Sequence, residues 1–72
     1  MGVGTNIKRL RRRLKLSQIE LGKQLNVSGV FIHYLESDKR KPPVEMLKRL
    51  AEALETTTDE LLKGVSNGKE GN

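Results

Sequence analysis

The sequence contains no cysteine and no tryptophan, and only one tyrosine and one phenylalanine occur among its 72 residues. The lack of cysteine excludes a disulfide framework and a thiolate metal site, so a chain this short must rely on packing, helix caps or a partner subunit. No segment approaches the roughly 20 apolar residues that span a bilayer, and the N-terminus lacks the apolar stretch of a signal peptide. We therefore expect one small, soluble, cytoplasmic domain.

Positive charge is in excess, with a formal net charge of +5 and a pI of about 9.9. It is concentrated in two clusters, +6 over residues 5–17 and +2 over residues 38–43, and no lysine or arginine lies between Lys23 and Lys39. A basic surface raises the local concentration of polyanions. The distribution thus indicates a nucleic acid or an anionic membrane as the partner.

The apolar pattern predicts an all-α chain, since no stretch alternates with period two. A first helix is expected from Thr5, with a stripe formed by Ile7, Leu10 and Leu14. The basic residues of this helix are also compatible with membrane binding. The same apolar stripe is needed for the core of the domain. It could enter a bilayer only if the domain unfolded, so we expect no membrane contact.

Two short helices are predicted in the middle of the chain. Ser17 and Glu20 have the S-x-x-E spacing of a capping box, which starts a helix over residues 18–25. Asn26 tolerates the left-handed turn that follows a helix, and Ser28 is a good N-cap for the next helix, which ends at residue 36 or 37.

Two further helices follow a proline-containing loop. The fourth should open at Pro43 or Val44. Its predicted apolar face comprises Leu47, Leu50, Ala51 and Leu54. Thr57 and Glu60 form a second capping box for a fifth helix through residue 62. Residues 64–72 contain too few apolar side chains to bury a hydrophobic surface, and we interpret them as a disordered tail.

The second and third helices, joined by a turn of about four residues, have the form of a helix-turn-helix. Gly22 lies inside the second helix, where glycine costs about 1 kcal/mol relative to alanine, so a structural reason is required. Close approach of the third helix over the second supplies one. The inward positions are all apolar: Leu21, Leu25, Val27, Ile32 and Leu35.

These motifs resemble the Cro and lambda-type repressor family of helix-turn-helix proteins, the XRE family. The resemblance covers residues 7–62 and includes "LSQ-x-x-LG", the small residue at Gly22, the "VS" turn, Ile32, "LE" at Leu35 and Glu36, and the closing "DELL". It implies a compact five-helix, lambda-repressor-like DNA-binding domain over residues 5–63, after a flexible N-terminus of residues 1–4. The family often has glycine where this chain has Lys15, Asn26 and Glu55, so those turns should be strained.

The resemblance also implies which residues meet DNA. Gly29 and Val30, with Tyr34 one turn later, would face base edges, and His33 is a further polar candidate. Glycine and valine have no side-chain hydrogen-bonding group, so the best direct contact is Val30 against a thymine methyl group. The alternative for Tyr34 is packing on the loop, and Phe31 is interpreted mainly as a core residue.

Contacts to phosphate are expected from six residues, which lie at two helix starts and in the loop after the third helix. They are Ser17, Gln18, Ser28, Lys39, Arg40 and Lys41. The family positions of Arg11 and Glu36 imply an ion pair that fixes the first helix to the third.

We therefore expect a sequence-specific regulator of transcription, with repression the favoured action, that places helix 28–36 in the major groove of double-stranded DNA. It would bind a palindromic operator as a homodimer that is weak off DNA, through the region of Leu61 and Leu62, and be associated with the nucleoid.

The alternative is a protein-interaction module, an antitoxin or adaptor, that uses Gly29, Val30 and Phe31 as an apolar patch. No nucleophile with a base, paired carboxylates, phosphate loop or metal spacing can be assembled, so we expect no enzyme, cofactor, metal or small-molecule ligand.

Overall fold

The computed structural model describes residues 2–65, and within them five helices and no strand occur. The helices are α1 (Gly4–Arg13), α2 (Gln18–Leu25), α3 (Gly29–Glu36), α4 (Val44–Ala53) and α5 (Thr58–Leu61). The predicted all-α fold of five helices is thus confirmed for the described part of the chain. None of the helices in residues 2–65 has the length and apolarity needed to cross a membrane.

Three side-chain caps set the helix starts. The side-chain oxygens of Ser17, Ser28 and Thr57 each accept a hydrogen bond from the backbone amide three residues later. At Ser17 the capping box is complete, because the Glu20 carboxylate accepts a hydrogen bond from the Ser17 amide at 2.7 Å. These local signals explain why the predicted starts of α2, α3 and α5 agree with the structure to within one residue.

The turns after the helices show the expected backbone conformation. Lys15, Asn26 and Glu55 have φ values of 60°, 61° and 57°, in the left-handed region that glycine adopts most readily. Asp38 also lies in this region, with a φ of 62°, and the sequence did not predict it. Each is a non-glycine residue in a conformation that favours glycine.

The core is formed by all five helices and contains nine fully buried side chains: Ile7, Leu10, Leu21, Leu25, Ile32, Leu35, Leu50, Leu54 and Leu61. Val27 and Leu47, both predicted core residues, are half-buried and pack against this cluster. Leu14 is the C-cap residue of α1 and only half-buried, so the stripe of the first helix ends at Leu10. Fully burying one such side chain is worth about 1.5–3 kcal/mol, which makes this cluster the main source of stability.

The folded part begins earlier than the expected residue 5. Val3 is buried and Gly4 is the first residue of α1. The Gly4 amide donates to Asp38 Oδ1 at 3.0 Å, so a carboxylate from the loop after α3 caps α1. This long-range cap replaces the side-chain cap that Val3 cannot supply.

The end of the folded part also differs slightly from the expected boundary. Gly64 has a φ of 75°, and Val65, placed in the tail by its composition, packs against the core. The remainder of the predicted disordered tail, residues 66–72, lies outside the described residues.

Candidate nucleic-acid interface

The turn between α2 and α3 is held by the backbone of Gly22. The Val27 amide donates to Gly22 O at 2.9 Å, and a Cβ added to Gly22 would lie 2.6 Å from Val27 O. Glycine is therefore required here because the turn itself approaches α2. The prediction of a close approach was right, but the neighbour is the turn and the cap residue Ser28, and not the body of the third helix.

Gly29, expected to face base edges, is half-buried against α2. A Cβ added to Gly29 would lie 2.9 Å from Ile19 Cγ1 and 3.2 Å from Ile19 Cα. The missing side chain allows the start of α3 to lie directly on the first turn of α2. The structure thus gives this glycine a packing role.

The exposed face beside this contact is apolar. Val30 is 60% exposed and Ile19 is 63% exposed, and Tyr34, one turn after Val30, is 40% exposed. Ile19 is not among the site residues predicted from the sequence. The available signal was an isoleucine in the first turn of a helix, flanked by polar residues and outside the stripe of Leu21 and Leu25.

His33 lies next to Tyr34 on α3, with the ring centroids 6.0 Å apart. Its side chain is exposed and turns toward α1 and the start of α2, where it lines a small cleft with Gln18 and Lys8. His33 follows Val30 by three residues, so the two occupy neighbouring positions on the surface of α3, and His33 is the one that borders the cleft.

A buried ion pair joins α1 to the end of α3. Arg11 Nε donates to Glu36 Oε2 at 2.5 Å and Arg11 Nη2 to Glu36 Oε1 at 3.1 Å. Arg11 Nη1 also donates to Leu16 O at 2.8 Å. Gln18 Nε2 donates to Glu36 Oε1 at 3.0 Å, which connects the start of α2 to the same carboxylate. One network thus fixes the relative positions of the three helices that form the interface.

The basic loop after α3 is tied to that helix. The amides of Lys39 and Arg40 donate to Tyr34 O at 2.9 Å and 3.3 Å. The guanidinium carbon of Arg40 lies 5.6 Å from the centroid of the half-buried Phe31 ring, a cation–π distance. Lys39, Arg40 and Lys41 are exposed, so their charges are available beside the end of α3.

Ser17 and Ser28 use their hydroxyl oxygens as helix caps, at 2.9 Å from Glu20 N and 3.0 Å from Phe31 N. A hydroxyl group that accepts one hydrogen bond retains its own proton for donation. Both residues are exposed at helix starts, where backbone amides favour an anion. Their chemistry is therefore compatible with phosphate contact.

Comparison with known proteins places this arrangement in a family. The model of the helix-turn-helix family matches residues 7–61. The chain belongs to the helix-turn-helix family. The described α2–turn–α3 unit is the part from which the family takes its name, and the resemblance seen in the sequence is confirmed.

Two curated relatives of this helix-turn-helix chain are phage repressors. Repressor protein C2 of Salmonella phage P22 is 40% identical over 62 residues, which is 86% of this chain and 29% of that protein. The immunity repressor protein of Bacillus phage phi105 is 35% identical over 54 residues, which is 75% of this chain and 38% of that protein. The chain therefore spans less than two fifths of the length of either relative.

Solved structures of the P22 c2 repressor share the fold. One is the crystal structure of that repressor in complex with synthetic operator 9T in the presence of Tl+, with 39% identity and a TM-score of 0.81 over 89% of this chain and 97% of that chain. The other is the NMR structure of its DNA-binding domain in solution, with 39% identity and a TM-score of 0.83 over 89% of this chain and 84% of that chain. The helix-turn-helix chain thus has the lambda-repressor-like fold that the resemblance of its sequence to the family implies.

Proposed function

We propose that this chain is a sequence-specific repressor of transcription that binds double-stranded DNA by placing α3 in the major groove. The observation that carries the proposal is the match, at 39% identity over 89% of the chain, to a repressor solved in complex with its operator. The charges support it, since Lys39, Arg40 and Lys41 are exposed in the loop after α3 and Lys8 is exposed on α1. Such a protein acts in the cytoplasm, on the DNA of the nucleoid.

Base recognition in this proposal depends on few hydrogen bonds. Val30 offers two methyl groups to a thymine methyl group, and Tyr34 offers a hydroxyl group one turn later. Gly29 contributes by letting α3 lie close to α2 and not by a side chain of its own. Shape and deformability of the operator then supply part of the specificity.

Affinity in this proposal comes mainly from phosphate contacts. Ser17, Gln18 and Ser28 supply donors at two helix starts, and Lys39, Arg40 and Lys41 supply charge from the loop. A surface of this kind neutralises about five to seven phosphates, so the logarithm of the binding constant should fall steeply with the logarithm of salt concentration.

We further propose that the protein binds a palindromic operator as a dimer, with half-sites about one helical turn apart. Leu61, expected in the region of the dimer surface, is fully buried in the core and is not available to a second copy. Leu62 is 43% exposed, and it is the residue of this region that remains available to a second copy.

Selection of bound sequences from a random duplex pool tests the proposal most directly. We expect a single enriched motif with two inverted half-sites and a steep salt dependence of affinity. Equal affinity for all duplexes, or binding that does not change between 50 mM and 200 mM salt, would contradict it.

A second candidate function is docking of a protein partner, as in an antitoxin or adaptor. The exposed apolar side chains of Ile19 and Val30 favour it, because they offer a patch without hydrogen-bonding groups. Val30→Asp separates the two functions. For the repressor, the variant loses sequence preference, whereas for the adaptor it loses the partner while duplex affinity stays unchanged.

A further inference from the structure

A small cleft lies where α1, α2 and the second half of α3 meet. It has a volume of about 90 Å³ and is lined by Lys8, Gln18, His33, Glu36 and Ser37. From the sequence, Gln18 is expected near phosphate and His33 near bases, whereas Lys8 has no individual role. The structure brings all three to one site.

We infer that this cleft binds one backbone phosphate of the DNA duplex, held by the ammonium group of Lys8, the amide of Gln18 and the imidazole of His33. The inference rests on the proposed function and adds a defined phosphate subsite to it. It moves His33 from the reading of bases to the positioning of the protein on the DNA backbone.

The carboxylate of Glu36 does not oppose an anion in this cleft. Both of its oxygens accept hydrogen bonds from the Arg11 guanidinium, and its side chain is only 3% exposed. Since Arg11 compensates the charge of Glu36, the ammonium group of Lys8 remains as the net charge of the site. That charge is positive, as a phosphate requires.

The orientation of the Gln18 amide follows from the same network. An ionised carboxylate can only accept, so the nitrogen of the amide, and not its oxygen, must face Glu36 Oε1, at a distance of 3.0 Å. The amide nitrogen carries a second N–H, and this proton is the one that the site offers to a phosphate oxygen. Gln18 is also the first residue of the eight-residue α2, so the backbone amides of a helix start lie at the same place.

Ser37 has a different role in the cleft. Its hydroxyl group donates to Tyr34 O at 3.3 Å, so its proton is already engaged. We therefore do not count Ser37 among the phosphate ligands. The two exposed ligands, Lys8 and His33, come from different helices, and a phosphate between them would connect α1 to α3.

Lys8→Gln and His33→Ala test the site, and Lys63→Gln is the matched control. Lys63 is exposed, carries the same charge and lies after α5, outside the cleft. The DNA is a duplex obtained by selection from a random pool, prepared in a series in which one phosphate at a time is replaced by an uncharged methylphosphonate. Binding constants are measured for every protein on every duplex.

We expect Lys8→Gln to lower affinity for the unmodified duplex about tenfold, as loss of a charge-assisted hydrogen bond does. Its log–log salt slope should become shallower by about 0.9, the value for one phosphate. Lys63→Gln should change affinity by no more than about twofold, because it removes an exposed charge outside the cleft and leaves the side chain of Leu62 unchanged.

The methylphosphonate series identifies the phosphate. One position should weaken the binding of the wild-type protein and of Lys63→Gln but have little further effect on Lys8→Gln or on His33→Ala. Coupling of the two cleft variants to different phosphates, or to none, would overturn the inference, as would equal effects of Lys8→Gln and Lys63→Gln. If the wild-type protein binds no duplex, the proposed function fails and the cleft inference fails with it, whereas the other negative results leave the proposed function intact.

Discussion

Arg11 and Glu36 form a bidentate ion pair in which Nε lies 2.5 Å from Oε2 and Nη2 lies 3.1 Å from Oε1. The side chains are 11% and 3% exposed, so the pair is nearly removed from solvent. It joins α1 to the end of α3, and Gln18 attaches the start of α2 to the same carboxylate. The relative positions of the interface helices therefore depend on one buried charge pair.

Arg11→Met should strongly destabilise the protein. The substitution keeps much of the side-chain volume but leaves the Glu36 carboxylate buried without its counter-charge. We expect the free energy of unfolding to fall by about 3 kcal/mol, measured by urea denaturation. The double variant Arg11→Met with Glu36→Leu should recover most of this loss, because it removes both charges. A single-variant loss below about 1 kcal/mol would show that the pair contributes little.

Local signals in the sequence predicted the helices well. Ser17, Ser28 and Thr57 mark helix starts through hydrogen bonds that span three residues, and Asn26 marks a turn through its own backbone preference. Such signals are contained in a few neighbouring residues, so they can be recognised without knowledge of the tertiary structure.

The features that the sequence did not reveal depend on residues far apart in the chain. Asp38 caps α1 across 34 positions, Gly29 fits against Ile19, and Lys8 reaches the cleft beside His33. Each requires the packed arrangement of α1, α2 and α3 to be known first. The family resemblance and the position in the helix, from which the roles of Gly29 and His33 are expected, do not reveal these contacts with α1 and α2.

Alanine at the two packed glycines should destabilise the protein to different degrees. At Gly22 the added Cβ meets the backbone oxygen of Val27 at 2.6 Å, which cannot move without opening the turn. At Gly29 the nearest atom is the side-chain atom Ile19 Cγ1 at 2.9 Å, and the backbone of Ile19 lies farther away, at 3.2 Å. We expect a loss of about 2 kcal/mol for Gly22→Ala and about half of that for Gly29→Ala, both measured by thermal unfolding. The reverse order would contradict the assignment of these contacts.

Glycine at a left-handed position should stabilise the protein. Lys15 has a φ of 60°, a conformation that disfavours a side chain. Lys15→Gly removes this penalty, and we expect the free energy of unfolding to rise by about 0.5 kcal/mol after the backbone entropy of glycine is included. Lys8→Gly is the control, because the same substitution inside α1 should lower the free energy of unfolding by about 1 kcal/mol. If both variants are destabilised, backbone strain at Lys15 is not a significant term.

The contact proposed between Val30 and a thymine methyl group can be tested by modifying one base of the DNA. Replacement of the contacted thymine by uracil removes only the C5 methyl group, and Val30→Ala removes only the side-chain methyl groups that would touch it. Each change alone should weaken binding by about 1 kcal/mol, the transfer free energy of one to two buried methyl groups. If the two groups touch, the loss occurs once, so uracil should have little further effect on Val30→Ala. Val44→Ala is the control, since Val44 is 71% exposed at the start of α4 and this variant should retain the full response to uracil. Losses that add at every thymine of the operator would mean that Val30 reads no methyl group, and sequence preference would then have to come from Tyr34 and from the shape of the duplex.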